Sequence, residues 1–177
     1  MILIYIIVSF IALILLVALF VPRDYSVKQE MVINKPSVAI YNYFRYLQNQ
    51  EAYAVWNGMD PEMKKTYSGT DGEPGFIYTW ESKNKKVGQG EQEIKAVTDG
   101  ESIETELRFI KPFEGRADAK ISVFPLGENQ SRVTWDLNSS MKYPMNFMLL
   151  FMNMDKMIGK DFETGLSNMK RLLETNQ

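Results

Sequence analysis

An uninterrupted apolar run at the N-terminus limits what this chain can fold into more than any other feature. Residues 2–21 contain no charged side chain and consist mostly of Ile, Leu, Val and Phe. As a helix, the run would span roughly 30 Å, the thickness of the apolar core of a bilayer. A cleaved signal peptide would need a basic start, a shorter apolar stretch and small residues at its cleavage site, and a buried core helix would normally carry a polar stripe. We therefore predict an uncleaved transmembrane anchor over residues 1–22 that contacts the lipid bilayer through residues 2–21.

The charged residues that flank this run indicate its orientation. Arg23 and Lys28 follow the apolar segment, and no Lys or Arg precedes it. The positive-inside rule places the side richer in Lys and Arg in the cytoplasm. We therefore expect a single-pass membrane protein whose remaining residues lie on the cytoplasmic side.

The composition removes several classes of function. The formal net charge of −2 argues against a nucleic-acid partner, which would require a basic face. The chain has no Cys, so disulfides and thiolate chemistry are excluded. It also has no His, which removes the commonest general base and the commonest transition-metal ligand. We expect no cofactor and no metal, and the composition identifies no protein partner.

Residues 23–177 have the length of one ordinary domain, and their apolar pattern predicts one sheet with helices against it. Short turns between successive strands indicate an antiparallel meander. One side of this sheet is apolar and the other is charged, so the sheet should have one buried and one wet face. The predicted strands are 25–33, 64–68, 75–81, 86–97, 102–111, 115–124 and 132–139.

Apolar residues at helical spacing predict three helical segments, over 38–47, 50–56 and about 143–173. The last segment is the longest, and its apolar stripe needs a partner. The apolar face of the sheet is the only large surface available for that stripe. We therefore expect one long C-terminal helix to lie across the sheet.

This order of elements resembles the helix-grip fold of the START-like, or SRPBCC, superfamily, which contains birch-pollen-allergen-like, lipid-transfer and polyketide cyclase/dehydrase-like proteins. Four segments are similar to the membrane-anchored bacterial branch of that group. They are residues 59–69, YTWES at 78–82, KVGQG at 86–90 and residues 151–166. The resemblance implies an α+β fold in which a curved antiparallel sheet wraps a long C-terminal helix. It also implies an apolar cavity between the two, which in many relatives holds a lipid, a sterol or a polyketide.

The apolar sheet face and the methionines before the last helix are the candidate walls of such a cavity. Aromatic residues beside small ones leave room for a ligand, and Tyr and Trp add a polar group, although the same pattern also fits a filled core. Six of the eleven methionines fall within residues 141–157, where flexible thioethers suit either ordinary packing or an adaptable ligand wall. The side chains that we predict to line the cavity are Phe76, Tyr78, Trp80, Leu107, Phe109, Ala117, Ala119, Ile121, Trp135, Met148 and Met152.

Three hypotheses for function follow. The first is a membrane-tethered, non-catalytic binding or carrier module for an apolar ligand such as a lipid or a polyketide-like molecule. The second is an enzyme of the cyclase/dehydrase type that uses Tyr78 or Glu81 as an acid or base. The paired carboxylates Glu104 and Glu106 are another candidate, but they fit a solvated sheet exterior better than a catalytic pair. The third is a structural or interaction protein whose interior is filled.

Overall fold

A seven-stranded antiparallel sheet forms the body of the protein in our computed structural model, which describes residues 1–175. The strand order is β1-β7-β6-β5-β4-β3-β2, so β2 to β7 form a meander and β1 pairs with the last strand. This arrangement confirms the predicted antiparallel sheet. The strands are β1 (Asp24–Ile33), β2 (Lys64–Ser68), β3 (Ile77–Glu81), β4 (Gln89–Thr98), β5 (Ser102–Lys111), β6 (Gly115–Gly127) and β7 (Gln130–Ser140).

The alternation of side chains along the strands gives the sheet one buried face. In β6, Ala117, Ala119 and Ile121 are buried, whereas Asp118 and Lys120 between them are exposed. Successive side chains of a strand point to opposite faces, so this period of two fixes which residues meet the core. The helices cover the apolar face, and the charged face remains in contact with solvent.

Three short helices connect β1 to β2. They are α2 (Ser37–Phe44), α3 (Gln50–Tyr53) and α4 (Val55–Gly58), with a 3₁₀ turn at Leu47–Asn49 before α3. α2 contacts β6, and α3 and α4 contact the C-terminal helix. This segment therefore closes one side of the space above the sheet.

The C-terminal region is broken into pieces, and the prediction of one helix over 143–173 is wrong in its first third. A 3₁₀ helix (Met145–Leu150) is followed by a π-helical turn (Asp155–Gly159) and by α5 (Lys160–Thr175). The Oδ1 atom of Asn153 accepts a hydrogen bond of 2.9 Å from the backbone N–H of Lys156, which caps a new helical start there. Residues 147–152 are apolar on every side and have no single stripe that would hold them in one helix with α5.

The N-terminal run forms α1 (Ile2–Ala18), but the prediction of a transmembrane anchor over residues 1–22 is wrong. Within residues 1–175, no helix combines the length and the apolarity that crossing a membrane requires. α1 has 17 residues, so it extends about 26 Å at 1.5 Å per residue. The same finding overturns the single-pass localisation and the cytoplasmic placement that we inferred from the anchor.

A buried asparagine explains why α1 ends before the apolar run does. The Nδ2 group of Asn146 donates hydrogen bonds to the carbonyl oxygens of Ala18 at 2.7 Å and Val21 at 2.9 Å. The carbonyls at the end of a helix lack intrahelical partners, and here a side chain from the distant 3₁₀ helix supplies one. The hydroxyl group of Tyr143 also donates to the carbonyl of Leu15 at 3.3 Å.

Candidate functional site

A cavity of about 300 Å³ lies between the apolar face of the sheet, the α3–α4 segment and the start of the C-terminal helix. Most of its walls are aliphatic and aromatic. The lining residues are Gln50, Ala54, Trp56, Asn57, Met63, Tyr78, Trp80, Lys86, Val87, Gln92, Leu107, Phe109, Lys111, Pro112, Phe113, Ala119, Trp135, Leu137, Ile158 and Phe162.

A glycine on β4 leaves room for a tryptophan ring on the sheet side of the cavity. Gly90 lies opposite Trp80 in the antiparallel register. A Cβ atom at Gly90 would lie 2.6 Å from the Trp80 ring and 2.6 Å from the carbonyl oxygen of Arg108. The indole N–H of Trp80 donates to the carbonyl of Val87 at 3.2 Å. Trp80 is therefore held flat against β4, where its ring forms part of the cavity wall.

The helical wall is built around a stacked aromatic pair. The rings of Trp135 and Phe162 are 4.3 Å apart and almost parallel, and Trp56 meets each of them edge-on. Gly165 allows α5 to approach this pair closely, because a Cβ atom there would lie 2.9 Å from the Trp135 ring. Rigid aromatic rings that support one another resist collapse of the space beside them.

Hydrogen-bonded polar side chains are among the residues that line the cavity. The hydroxyl group of Tyr78 donates to Asn57 Oδ1 at 3.1 Å, and Asn57 Nδ2 donates to the carbonyl of Gln50 at 3.2 Å. The Nε2 group of Gln92 donates to Thr105 Oγ1 at 3.0 Å, so this amide is also fixed in orientation. These groups give an otherwise apolar cavity a small number of oriented polar atoms.

Burial controls the chemistry of the Tyr78 phenol. Burial raises the pKa of Tyr78 well above its ordinary value, and the nearby Glu51 carboxylate raises it further. Glu51 lies outside the cavity, where it accepts hydrogen bonds from Tyr67 and Lys65, and Tyr67 stacks on Tyr78 with ring centroids 5.5 Å apart. The phenol therefore stays protonated at neutral pH and acts as a hydrogen-bond donor.

The mouth of the cavity is formed by two loops that touch. Gly88, in the β3–β4 loop, has a φ of +66°, and a Cβ atom there would lie 2.0 Å from the carbonyl oxygen of Lys111 at the end of β5. Only glycine allows this approach of two backbones. Phe113, in the turn after β5, lines the cavity although 73% of its surface is exposed.

Six of the eleven predicted lining residues border the cavity: Tyr78, Trp80, Leu107, Phe109, Ala119 and Trp135. Phe76, Ala117 and Ile121 share their sheet face but lie in the core away from the cavity. Met148 is exposed and Met152 half-buried, and neither borders the cavity, because the 3₁₀ helix Met145–Leu150 contacts α1 instead. Whether any of these residues binds a ligand stays a prediction.

The candidate acid–base residues are not brought together. Glu81 is exposed on β3, three positions after the inward-facing Tyr78 and on the opposite face of the strand. Glu104 forms an ion pair with Lys120 at 2.8 Å, and Glu106 pairs with Arg108, both on the sheet face away from the cavity. Within residues 1–175, no group of three or more acidic side chains is arranged to hold a metal ion.

Sequence patterns did not single out the helical wall or the mouth. Trp56, Asn57 and Ile158 come from segments whose position over the sheet depends on long-range packing. Phe113 could have been noticed in the sequence, because an aromatic residue between Pro112 and Glu114 is unusual for a solvent-exposed turn.

No protein-family model and no curated protein matches this sequence. Several solved structures do match the fold. A Nitrosospira multiformis protein gives a TM-score of 0.62 at 12% identity, covering 86% of this chain and 100% of that one. A norcoclaurine synthase point mutant from Thalictrum gives a TM-score of 0.63 at 10% identity, covering 87% of this chain and 96% of that one. Ara h 8.0201 gives 0.61 at 10% identity, with coverages of 86% and 99%.

The chain has a Bet v1/SRPBCC-type fold. This confirms the helix-grip part of the predicted fold class, without its transmembrane helix. At 10–12% identity, the likeness establishes the fold alone. The cavity of this chain lies between the sheet and the C-terminal helix of that fold.

Proposed function

We propose that this protein binds or carries a small apolar molecule in the cavity between the sheet and the C-terminal helix. The observation that supports the proposal is an open space of about 300 Å³ whose walls are mostly apolar. Close packing is the rule in protein interiors, and voids larger than a water molecule are few. An interior that keeps so large a space argues against the filled core of the third hypothesis.

The size of the cavity limits the ligand. Its volume lies at the lower end of the range of about 300–1,000 Å³ that is usual for small-molecule sites. A compact molecule with one or two rings suits this space better than a long-chain lipid with two acyl chains. A structure of Thalictrum flavum norcoclaurine synthase, which has a TM-score of 0.61 to this chain, was solved with dopamine and hydroxybenzaldehyde, and these are molecules of that size.

The polar groups of the walls give the site a means of orienting its ligand. Tyr78 and Asn57 form a hydrogen-bonded pair on one wall, and Gln92 is held by Thr105 on the sheet. A ligand oxygen beside these groups could accept or donate a hydrogen bond without ordering a new side chain. Such preorganisation lowers the entropic cost of binding.

The alternative of a cyclase/dehydrase-type enzyme has one observation in its favour, namely the buried and protonated Tyr78 phenol in the cavity. A neutral phenol of this kind can stabilise developing negative charge on a substrate oxygen. However, no carboxylate lines the described cavity, and Glu81 lies on the other face of β3. A reaction would lack a carboxylate base beside the ligand, so we favour binding without catalysis.

Binding of a neutral apolar dye tests the proposal. The full-length protein is titrated with N-phenyl-1-naphthylamine, and the dissociation constant is measured by fluorescence for the wild type and for Ala119→Phe. Ala119 lines the cavity, so a benzyl group there should weaken binding about tenfold or more, since even one methylene in a pocket shifts affinity by roughly tenfold or more.

Ala52→Phe is the matched control, because Ala52 is exposed on α3 and borders no part of the cavity. The dye also meets exposed apolar residues on α1, and the comparison of the two variants isolates the cavity from that surface. Equal dye affinity in the wild type and Ala119→Phe would refute the proposed function.

A further inference from the structure

We infer that the ligand of this cavity is an organic anion, with an apolar body and one carboxylate, sulfonate or phosphate group that Lys86 and Lys111 bind at the mouth. This inference rests on the proposed function and narrows its ligand class. It starts from the only charged residues among the described lining side chains, both of which are lysines.

The two lysines lie on neighbouring backbone segments beside the cavity. Lys111 is the last residue of β5, and Lys86 lies in the β3–β4 loop. This loop is ordered by hydrogen bonds from Val87 N–H and Gly88 N–H to the carbonyl of Asn84, at 3.0 and 2.9 Å. The close contact between Gly88 and the Lys111 carbonyl joins the two loops. The two charged side chains therefore begin from backbone segments that touch.

Both lysines lack the ion-pair partners that several lysines of the sheet have. Lys65, Lys95 and Lys120 each form an ion pair with a glutamate. Within residues 1–175, the ammonium groups of Lys86 and Lys111 form no salt bridge and no hydrogen bond. The mouth thus has two uncompensated positive charges in a protein whose formal net charge is −2.

The acidic residues near the mouth do not line it. Glu114 follows Phe113 in the turn after β5, and Glu81 ends β3, but neither borders the cavity. Asp60 accepts a hydrogen bond of 2.5 Å from Ser82 at the start of the β3–β4 loop. The charged groups that line the described cavity are therefore both positive, which favours anions over cationic ligands.

The chemistry of lysine suits a ligand with two unlike ends. The lysine stem packs along apolar surface while its ammonium group stays in water. Lys86 and Lys111 both line the cavity and are both exposed, so their stems can extend its apolar wall toward solvent. A ligand whose apolar body fills the cavity and whose anionic group remains at the mouth would meet both surfaces with little desolvation of its charge.

A matched pair of dyes tests this inference. 8-Anilino-1-naphthalenesulfonate and N-phenyl-1-naphthylamine share one ring system, and only the first carries a negative charge. Dissociation constants are measured for both with the full-length protein at low ionic strength. We expect the wild type to bind the sulfonate about fivefold more tightly, with the preference falling at high salt because exposed charges are screened.

Two double variants separate the mouth from general surface charge. Lys86→Met with Lys111→Met keeps the apolar stems and removes both charges, and it should abolish the preference for the sulfonate over the neutral dye. Lys83→Met with Lys85→Met removes two exposed charges from the same loop that do not line the cavity, and it should keep most of the preference.

The results distinguish this inference from the proposed function. Equal affinity for the two dyes, or an equal loss in both double variants, would refute the anion inference while binding of the neutral dye still supported the cavity. If Ala119→Phe changes the affinity of neither dye, the proposed function fails and the inference fails with it.

Discussion

The Tyr78 hydroxyl group connects β3 to the helical side of the cavity through a hydrogen bond to Asn57. It is buried, it donates to Asn57, and Asn57 in turn donates to the backbone of α3. Tyr53 offers a comparison, because its hydroxyl is also buried but has no hydrogen-bond partner within residues 1–175. A buried polar group stabilises a fold only when it is paired, so the two hydroxyls should contribute differently.

Replacing each tyrosine by phenylalanine tests that difference. Tyr78→Phe leaves the Asn57 acceptor unpaired and should lower the free energy of unfolding by about 1 kcal/mol. Tyr53→Phe removes an unpaired buried hydroxyl and should be neutral or slightly stabilising. Urea denaturation of both variants measures the free energies, and a larger loss in Tyr53→Phe would contradict the hydrogen-bond assignment.

The raised pKa of Tyr78 predicts a loss of stability in alkali. In the unfolded chain a tyrosine ionises near pH 10, whereas the folded protein holds the Tyr78 proton to higher pH. Its contribution is therefore complete below about pH 10 and is lost as pH rises toward the folded pKa. The free energy of unfolding measured between pH 9 and 11 should fall less steeply in Tyr78→Phe than in the wild type. Identical slopes would show that this phenol does not contribute.

Gly90 is the residue where the shape of the cavity wall depends on a missing side chain. Gly90→Ala places a methyl group against the Trp80 ring and the Arg108 carbonyl, and we expect it to lower the free energy of unfolding by about 1–3 kcal/mol. In the control Gly127→Ala, the new methyl group meets nothing within 4 Å, so the change should stay within about 0.5 kcal/mol. Thermal or urea unfolding of the two variants tests the contrast, and similar values would contradict the packing described for Trp80.

At the scale of elements, the end of α1 depends on a residue far away in the chain. Asn146 is fully buried, and its two hydrogen bonds to Ala18 and Val21 connect α1 to the 3₁₀ helix that contains it. No pattern within residues 2–21 indicates this contact, and the apolar run is longer than the helix that it forms. The same 3₁₀ helix accounts for the displacement of Met148 from the cavity.

Asn146→Ala tests this junction. The two carbonyl oxygens lose a buried donor, and we expect the free energy of unfolding to fall by about 1–3 kcal/mol. Amide hydrogen exchange should also become faster around residues 16–21. Asn138→Ala is the control, since Asn138 is exposed and its side chain has no hydrogen bond within residues 1–175. Unchanged exchange at the end of α1 in Asn146→Ala would contradict the proposed junction.

At the scale of the whole molecule, the sheet was predictable because its signal is local. β2 and β5 have the predicted bounds, and the other strands differ from them by a few residues at their ends. The cavity was less predictable, because Ala117 and Ala119 lie on the same apolar face of β6 and look alike in the sequence. In the structure, Ala119 borders the cavity and Ala117 lies in the core, and this difference depends on where the helices pack. The mouth depends on the contact between Gly88 and Lys111, which are 23 positions apart.

The cavity also explains the arrangement of the tryptophans. The chain has three of them, and Trp56, Trp80 and Trp135 all line the cavity from different elements. We expect their three indole N–H groups to give three signals in an NMR spectrum, and no tryptophan lies on α1. A ligand in the cavity must therefore be sensed by tryptophans on α4, β3 and β7 at the same time.

The most direct test of the central claim is a ¹H–¹⁵N NMR titration of the full-length protein with N-phenyl-1-naphthylamine, following these three indole signals. We expect all three to shift along one saturable binding curve, and to need about tenfold or more dye for the same shift in Ala119→Phe. Shifts confined to backbone amides of residues 2–18, with the three indole signals unchanged, would contradict a ligand-binding cavity.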